Sequence, residues 1–227
     1  MKRFVLGLSA SIAALAMAPA ANAGIFIGVS TDGGATVTQV ASDGGTGSVN
    51  YNTTNGVGGL FYNVSATGYP LLTQPNLLTQ AVNILTPTAR IGAGTISIFI
   101  TETDLSSFDA FLTSVFTSNT ISGAAATISS YFSNANALWT GTMLQSASFA
   151  GPGTFANANL VNGTGPFSTT VRYDITFSGP EGSNFNGTAN LSAVPEPATW
   201  GLMLLGFGAM GGLLRTRRKP QLRIRYA

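Results

Sequence analysis

Along most of this 227-residue chain hydrophobic and polar residues alternate with a period of two, the pattern of strands that bury one face. Thr95–Thr101 shows it clearly: Ile96, Ile98 and Ile100 share one face, and Ser97, Phe99 and Thr101 the other. Val171, Tyr173, Ile175 and Phe177 alternate in the same way with Arg172, Asp174 and Thr176. Nearer the start, Ile25–Ser30 and Ala35–Val40 flank Thr31-Asp32-Gly33-Gly34, and Asp-Gly between apolar runs predicts a hairpin. Ser42-Asp43-Gly44-Gly45 repeats that turn eleven positions later, the spacing of a meander. Further strands are predicted at Gly58–Ala66, Leu77–Leu85, 121–130, 143–149 and Phe185–Leu191, with the Asn-rich stretch 131–140 as a loop.

One stretch departs from this period. Phe108, Phe111, Leu112, Val115 and Phe116 fall at the i, i+3, i+4, i+7, i+8 positions of an amphipathic helix. With Ser106 as its cap, a helix is predicted at about 107–117, while β-branched Thr113 and Val115 keep a strand reading open. The fold class expected for residues 24–194 is therefore all-β: an antiparallel β-sandwich with one short helix.

Both ends break from the body. Met1-Lys2-Arg3, an apolar run from Phe4 to Met17 and an A-x-A site at Ala21-Asn22-Ala23 make residues 1–23 a predicted secretory signal peptide, with Gly24 as the mature start. At the other end stand Val194-Pro195-Glu196-Pro197-Ala198-Thr199-Trp200, an apolar run from Gly201 to Leu214, and the basic cluster Arg215-Thr216-Arg217-Arg218-Lys219. The charge-free run Ala198–Leu214 has 17 residues; as a helix it would rise roughly 25 Å, a little short of the ~30 Å hydrocarbon core. It predicts a single transmembrane helix with the basic cluster on the cytoplasmic side and residues 220–227 as a short cytoplasmic tail. Gly201, Gly206, Gly208, Gly211 and Gly212 make it a marginal one.

This three-part order resembles the PEP-CTERM sorting signal, in the variant with Trp three residues after the second proline, which an exosortase recognises in Gram-negative bacteria. On that resemblance residues 195–219 form the signal, with Pro195, Glu196, Pro197, Trp200, Arg215, Arg217, Arg218 and Lys219 as its sorting and processing residues. The resemblance implies export by Sec-type machinery, a transient inner-membrane intermediate, cleavage by the exosortase, and delivery to the cell surface or beyond. It further implies an association with exopolysaccharide and with biofilm or floc formation. An ordinary single-pass anchor, with the prolines merely breaking structure, is the alternative.

Charge and composition narrow the chemistry of the body. Between Gly24 and Val194 only Arg90 and Arg172 are basic, against Asp32, Asp43, Glu102, Asp104, Asp109, Asp174 and Glu181, a net charge of −5. Such a surface has no footprint for nucleic acid. The chain has no histidine and no cysteine, and its body no lysine, which excludes imidazole and thiol catalysis, His-ligated zinc, disulfides and a Ser-Lys dyad. Carboxylates remain. Glu102 and Asp104, two apart on an extended chain, would point the same way about 7 Å apart, as an inverting glycosidase pair or as weak calcium candidates; as a charged pair at a strand end they would simply face solvent. Trp139, Tyr131, Phe132 and Tyr51 lie in polar surroundings, where rings stack on sugars or pack in a core. No cofactor is expected. The sequence thus predicts a non-enzymatic exported surface or matrix protein, with a carbohydrate-binding module as the alternative and a calcium-dependent hydrolase as a more distant one.

Overall fold

A computed structural model of the chain describes residues 23–86, 94–106, 108–178, 182–194 and 197–216. It contains the strands β1 (Ile25–Ser30), β2 (Thr38–Ser42), β3 (Ser48–Thr53), β4 (Phe61–Thr67), β5 (Asn76–Leu85), β6 (Gly94–Leu105), β7 (Phe108–Ser122), β8 (Ala124–Ser133), β9 (Thr142–Phe149), β10 (Gly153–Gly163), β11 (Phe167–Phe177) and β12 (Asn184–Val194), followed by the helix α1 (Pro197–Thr216). A single 3-10 turn at Val57–Gly59 is the only helical piece described in the body. The strands form two antiparallel six-stranded sheets, ordered β2-β1-β6-β11-β8-β9 and β10-β7-β12-β5-β4-β3.

The period-two pattern builds the core. Ile25, Ile27 and Val29 on β1, Ile96, Ile98 and Ile100 on β6, and Val171, Tyr173 and Ile175 on β11 face inward from the first sheet. Leu77, Val82 and Ile84 on β5, Leu112 and Phe116 on β7, and Phe185, Ala189 and Leu191 on β12 meet them from the second. Each fully buried aliphatic or aromatic side chain contributes about 1.5–3 kcal/mol relative to exposure. The buried hydrophobic residues of the sandwich all fall between Ala23 and Leu191, so the body carries its own core. Polar side chains tie the two layers together: the Thr79 and Tyr173 hydroxyls bond across the interior, and so do those of Ser114 and Ser130 at 2.8 Å.

The antiparallel sandwich expected from the sequence is present, but the helix expected at 107–117 is not. That stretch is β7, paired with β10 from Phe108 to Ser118 and with β12 from Phe111 to Ser122. Leu112 and Phe116 are four residues apart, a spacing that places both on one face of a strand as well as of a helix. The inward positions between and beside them are Ala110, Ser114 and Ser118, all buried, and too small or polar to reveal the period of two. Phe111 lies on the outer face, 38% exposed. Ser114 tolerates burial because Ser130 pairs with it.

The turn at Asp43 also does something other than expected. It carries the chain from β2 in one sheet to β3 in the other, so no meander forms. Its carboxylate accepts the N–H groups of Ile25 (2.8 Å), Gly45 (3.0 Å) and Gly47 (2.7 Å), which pins the crossover to the start of β1. The Asp32 turn closes the predicted hairpin, although its second strand is Thr38–Ser42 rather than Ala35–Val40; hydrogen bonds from the Ser30 hydroxyl and the Thr36 N–H hold the Asp32 carboxyl down at about 2. β12 runs to Val194, leaving no linker before Pro195.

The C-terminal helix is also present, but it falls short of the transmembrane span expected from the sequence. α1 has 20 residues, and Leu202, Met203, Leu204, Leu205, Phe207 and Met210 are each more than half exposed. Yet among the described residues no helix is long and apolar enough to cross a membrane. The five glycines dilute its apolar surface, and Arg215 lies within its last turn.

Candidate functional site

The outer face of the first sheet carries a cleft. β6 lies between β1 and β11, so its outward residues Ser97, Phe99 and Thr101 have strands on both sides, and all three are buried. Two loops contribute: the Asp32 hairpin brings Gly34, Ala35 and Val37, and the 134–141 connection brings Trp139 and Thr140. With Phe99, Tyr131 and Arg172 these residues line an open cleft of about 440 Å³, within the ~300–1,000 Å³ typical of small-molecule sites.

Its walls are held from several directions. The Trp139 ring meets Phe99 edge-on, with centroids 6.1 Å apart and planes at 67°. The far end of the indole lies over Gly28 of β1, where an added Cβ would come within 3.1 Å of it. Trp139 itself has φ 65, a left-handed conformation that is a genuine outlier for a bulky residue and costs about 1–3 kcal/mol. Arg172, paired with Phe99 in register, lays its guanidinium over that ring at 5.1 Å. Its Nε donates to Asp174 at 2.8 Å and its Nη2 to the Gly33 carbonyl at 2.9 Å. Asp174 also accepts the Ser97 hydroxyl. The guanidinium is thereby neutralised and fixed, with its remaining nitrogen beside Gly34 at the cavity wall.

The carboxylates are arranged differently from the sequence expectation. Glu102 continues the inward row of Ile96, Ile98 and Ile100 and is fully buried. Its Oε1 accepts the Tyr69 N–H at 2.6 Å, and its Oε2 has no hydrogen-bond partner. Burial pushes its carboxyl up to about 7, with the Asp43 charge adding to the rise and the Tyr69 N–H opposing it. At Asp104 the backbone turns left-handed (φ 56) and breaks the alternation. Its side chain joins a separate surface hollow with Phe26, Asp43 and Thr103, held by Asn136 at 2.8 Å and Thr103 at 3.0 Å. Glu102 is therefore enclosed in the interior and does not line the hollow that Asp104 joins. Among the described residues no three carboxylates converge on a point that could hold a metal ion.

Of the sorting residues, Pro197 and Trp200 lie in the first turn of α1, and Arg215 is exposed in its last. Pro195, Glu196, Arg217, Arg218 and Lys219 lie outside the described residues, as does Ala21; Ala23 is buried just ahead of β1. Residues 193–219 match the family model of the PEP-CTERM protein-sorting motif. The chain carries a PEP-CTERM sorting signal. The motif begins on the last residues of β12 and covers all of α1, so the PEP-CTERM segment follows the sandwich without a spacer. Such a motif marks the chain as exported towards the cell surface and processed by an exosortase.

No curated protein matches the chain. Among solved structures it has a likeness to the adhesin domain of Epf from Streptococcus pyogenes, at 11% identity and a TM-score of 0.34, over 76% of this chain and 60% of that one. A second likeness, to infectious bursal disease virus Gx strain, has 12% identity and a TM-score of 0.19, over 77% of this chain and 52% of that one. At these scores neither bears on fold or function. Sequence reasoning singled out Trp139 and Tyr131 but missed Arg172, Phe99 and Gly28, which touch them only through the pairing of β1, β6 and β11.

Proposed function

We propose that this chain is a non-enzymatic extracellular protein, delivered to the cell surface or the surrounding matrix through its PEP-CTERM signal and associated there with exopolysaccharide and biofilm formation. The observation that carries this reading is the motif at residues 193–219. Residues 1–23 direct Sec-type export, and α1 then holds the chain transiently at the inner membrane. The many exposed apolar side chains of α1 support this step, and its glycine content suits a segment that is kept only until it is cut. Its two prolines remove two backbone N–H donors from the cleavage region, which disfavours its addition to a strand. The burial of Glu102, outside the hollow that Asp104 joins, supports a role other than hydrolysis, because a glycosidase needs two carboxylates flanking one bond.

The test replaces Pro195, Glu196 and Pro197 together with alanine in a host that has the cognate exosortase. The variant is expected to accumulate at the inner membrane uncut at its C-terminal end. The wild type is expected at the surface with a mass that places its start at Gly24 and removes α1. A variant that reaches the surface shortened in the same way would overturn the proposal.

A further inference from the structure

We infer that the cleft between Trp139 and Arg172 is a binding site for a neutral sugar ring of a glycan chain. Four observations lead there. Trp139 is held in a left-handed backbone conformation (φ 65) and lines the cavity from a loop, and such outliers persist where the surroundings over-determine a functional geometry. Its ring is fixed by the edge of Phe99 and the floor at Gly28, so a ligand meets an aromatic surface that does not have to be ordered on binding. Tyr131 supplies a second ring, and Thr140 a hydroxyl. This mixture of apolar surface and a few polar groups matches what a sugar presents in return: C–H faces for the rings and hydroxyls for the polar groups.

Arg172 sets the charge preference. Asp174 neutralises it and the Gly33 carbonyl holds it, while its Nη1 makes no hydrogen bond among the described residues and lies at the cavity wall beside Gly34. The cleft thus offers a directed donor without net positive charge, and the body around it is acidic. Phosphate or uronate groups would find no uncompensated cation there, whereas a sugar hydroxyl or ring oxygen needs only the donor. The cavity wall includes no carboxylate, so the site binds without cleaving.

This inference takes from the proposed function only that the cleft faces the cell exterior, and its test is independent of sorting. Residues 24–194 carry their own core, and Trp139 is the only tryptophan in them, so intrinsic fluorescence reports the cleft directly. The purified body is titrated with cellohexaose, mannohexaose and a galactose hexamer, with a hexuronate as the charged comparison, up to about 10 mM. At least one neutral hexamer is expected to shift the Trp139 emission saturably, with the hexuronate weaker. By calorimetry Trp139→Ala and Tyr131→Ala are each expected to lose about ten-fold or more in affinity, and Trp139→Phe to retain most of it. Unchanged circular dichroism and urea midpoints identify the variants that fold normally, and Tyr131→Ala serves where Trp139→Ala does not. Absence of binding by every neutral hexamer, preference for the hexuronate, or full binding by well-folded Trp139→Ala or Tyr131→Ala would each overturn the inference. Loss of binding with sorting intact leaves the proposed function standing; the reverse result leaves the cleft standing.

Discussion

Replacing Glu102 with glutamine should remove most of the pH dependence of folding stability near neutrality. In the folded body the carboxyl is buried, with one oxygen on the Tyr69 N–H and the other unpartnered, and its pKa stands at about 7 against an ordinary 4.5. Because the folded value lies above the unfolded one, the folded state binds the proton more tightly. The contribution is fully present below about pH 4.5 and is lost as pH rises through 7. At about 1.4 kcal/mol per pH unit the full effect is about 3 kcal/mol, of which about 2.5 kcal/mol falls between pH 5 and pH 8. Urea unfolding of residues 24–194 at those two pH values, followed by Trp139 fluorescence and extrapolated linearly to water, measures it. The wild type should lose about 2.5 kcal/mol more than Glu102→Gln between pH 5 and pH 8. Glutamine keeps the acceptor for Tyr69 and adds no charge, so other titrating groups cancel in the comparison. Equal losses in the two proteins would refute the reasoning and mean that water reaches Glu102 in the folded state.

Two further predictions concern packing. Tyr173→Phe removes the hydroxyl that meets Thr79 between the sheets while leaving Thr79 bonded to Ala189; it should lower the unfolding free energy by about 1 kcal/mol in urea, and no change would deny the bond a structural role. Gly28→Val places a side chain where Val37 and the Trp139 indole now lie; it should cost about 1–3 kcal/mol, or ~2–4 °C in melting temperature per kcal/mol, and shift the Trp139 emission to the red. An unshifted emission would mean that the indole does not rest on β1.

Strands whose inward positions are uniformly large, such as Ile96, Ile98 and Ile100, were legible in the sequence because burial there needs no partner. β7 was misread because its inward row alternates large side chains with Ala110, Ser114 and Ser118, whose burial is decided by neighbours across the sandwich. β3 and β10 escaped notice as edge strands: Ser48–Thr53 and Gly153–Gly163 bury few of their side chains and so need little apolar pattern. The sorting segment could be read from adjacent residues alone. The cleft could not, because Gly28, Phe99, Trp139 and Arg172 come together only through strand order and the fold of two loops.

The direct passage from β12 into Pro195 determines how the body would respond to tension. β12 lies between β7 and β5 and is hydrogen-bonded to both along nearly its whole length. A body tethered outside the cell by the end of that strand would be pulled along the strand axis. The bonds on both flanks would then be strained together in shear, rather than opened one at a time as in a peeled edge. β1, at the opposite end of the chain, is likewise enclosed by β2 and β6, in the other sheet. Forced unfolding is governed by the unfolding rate, so such a placement would slow extraction under flow without adding to equilibrium stability, and a cell-surface domain would gain grip from strand order alone.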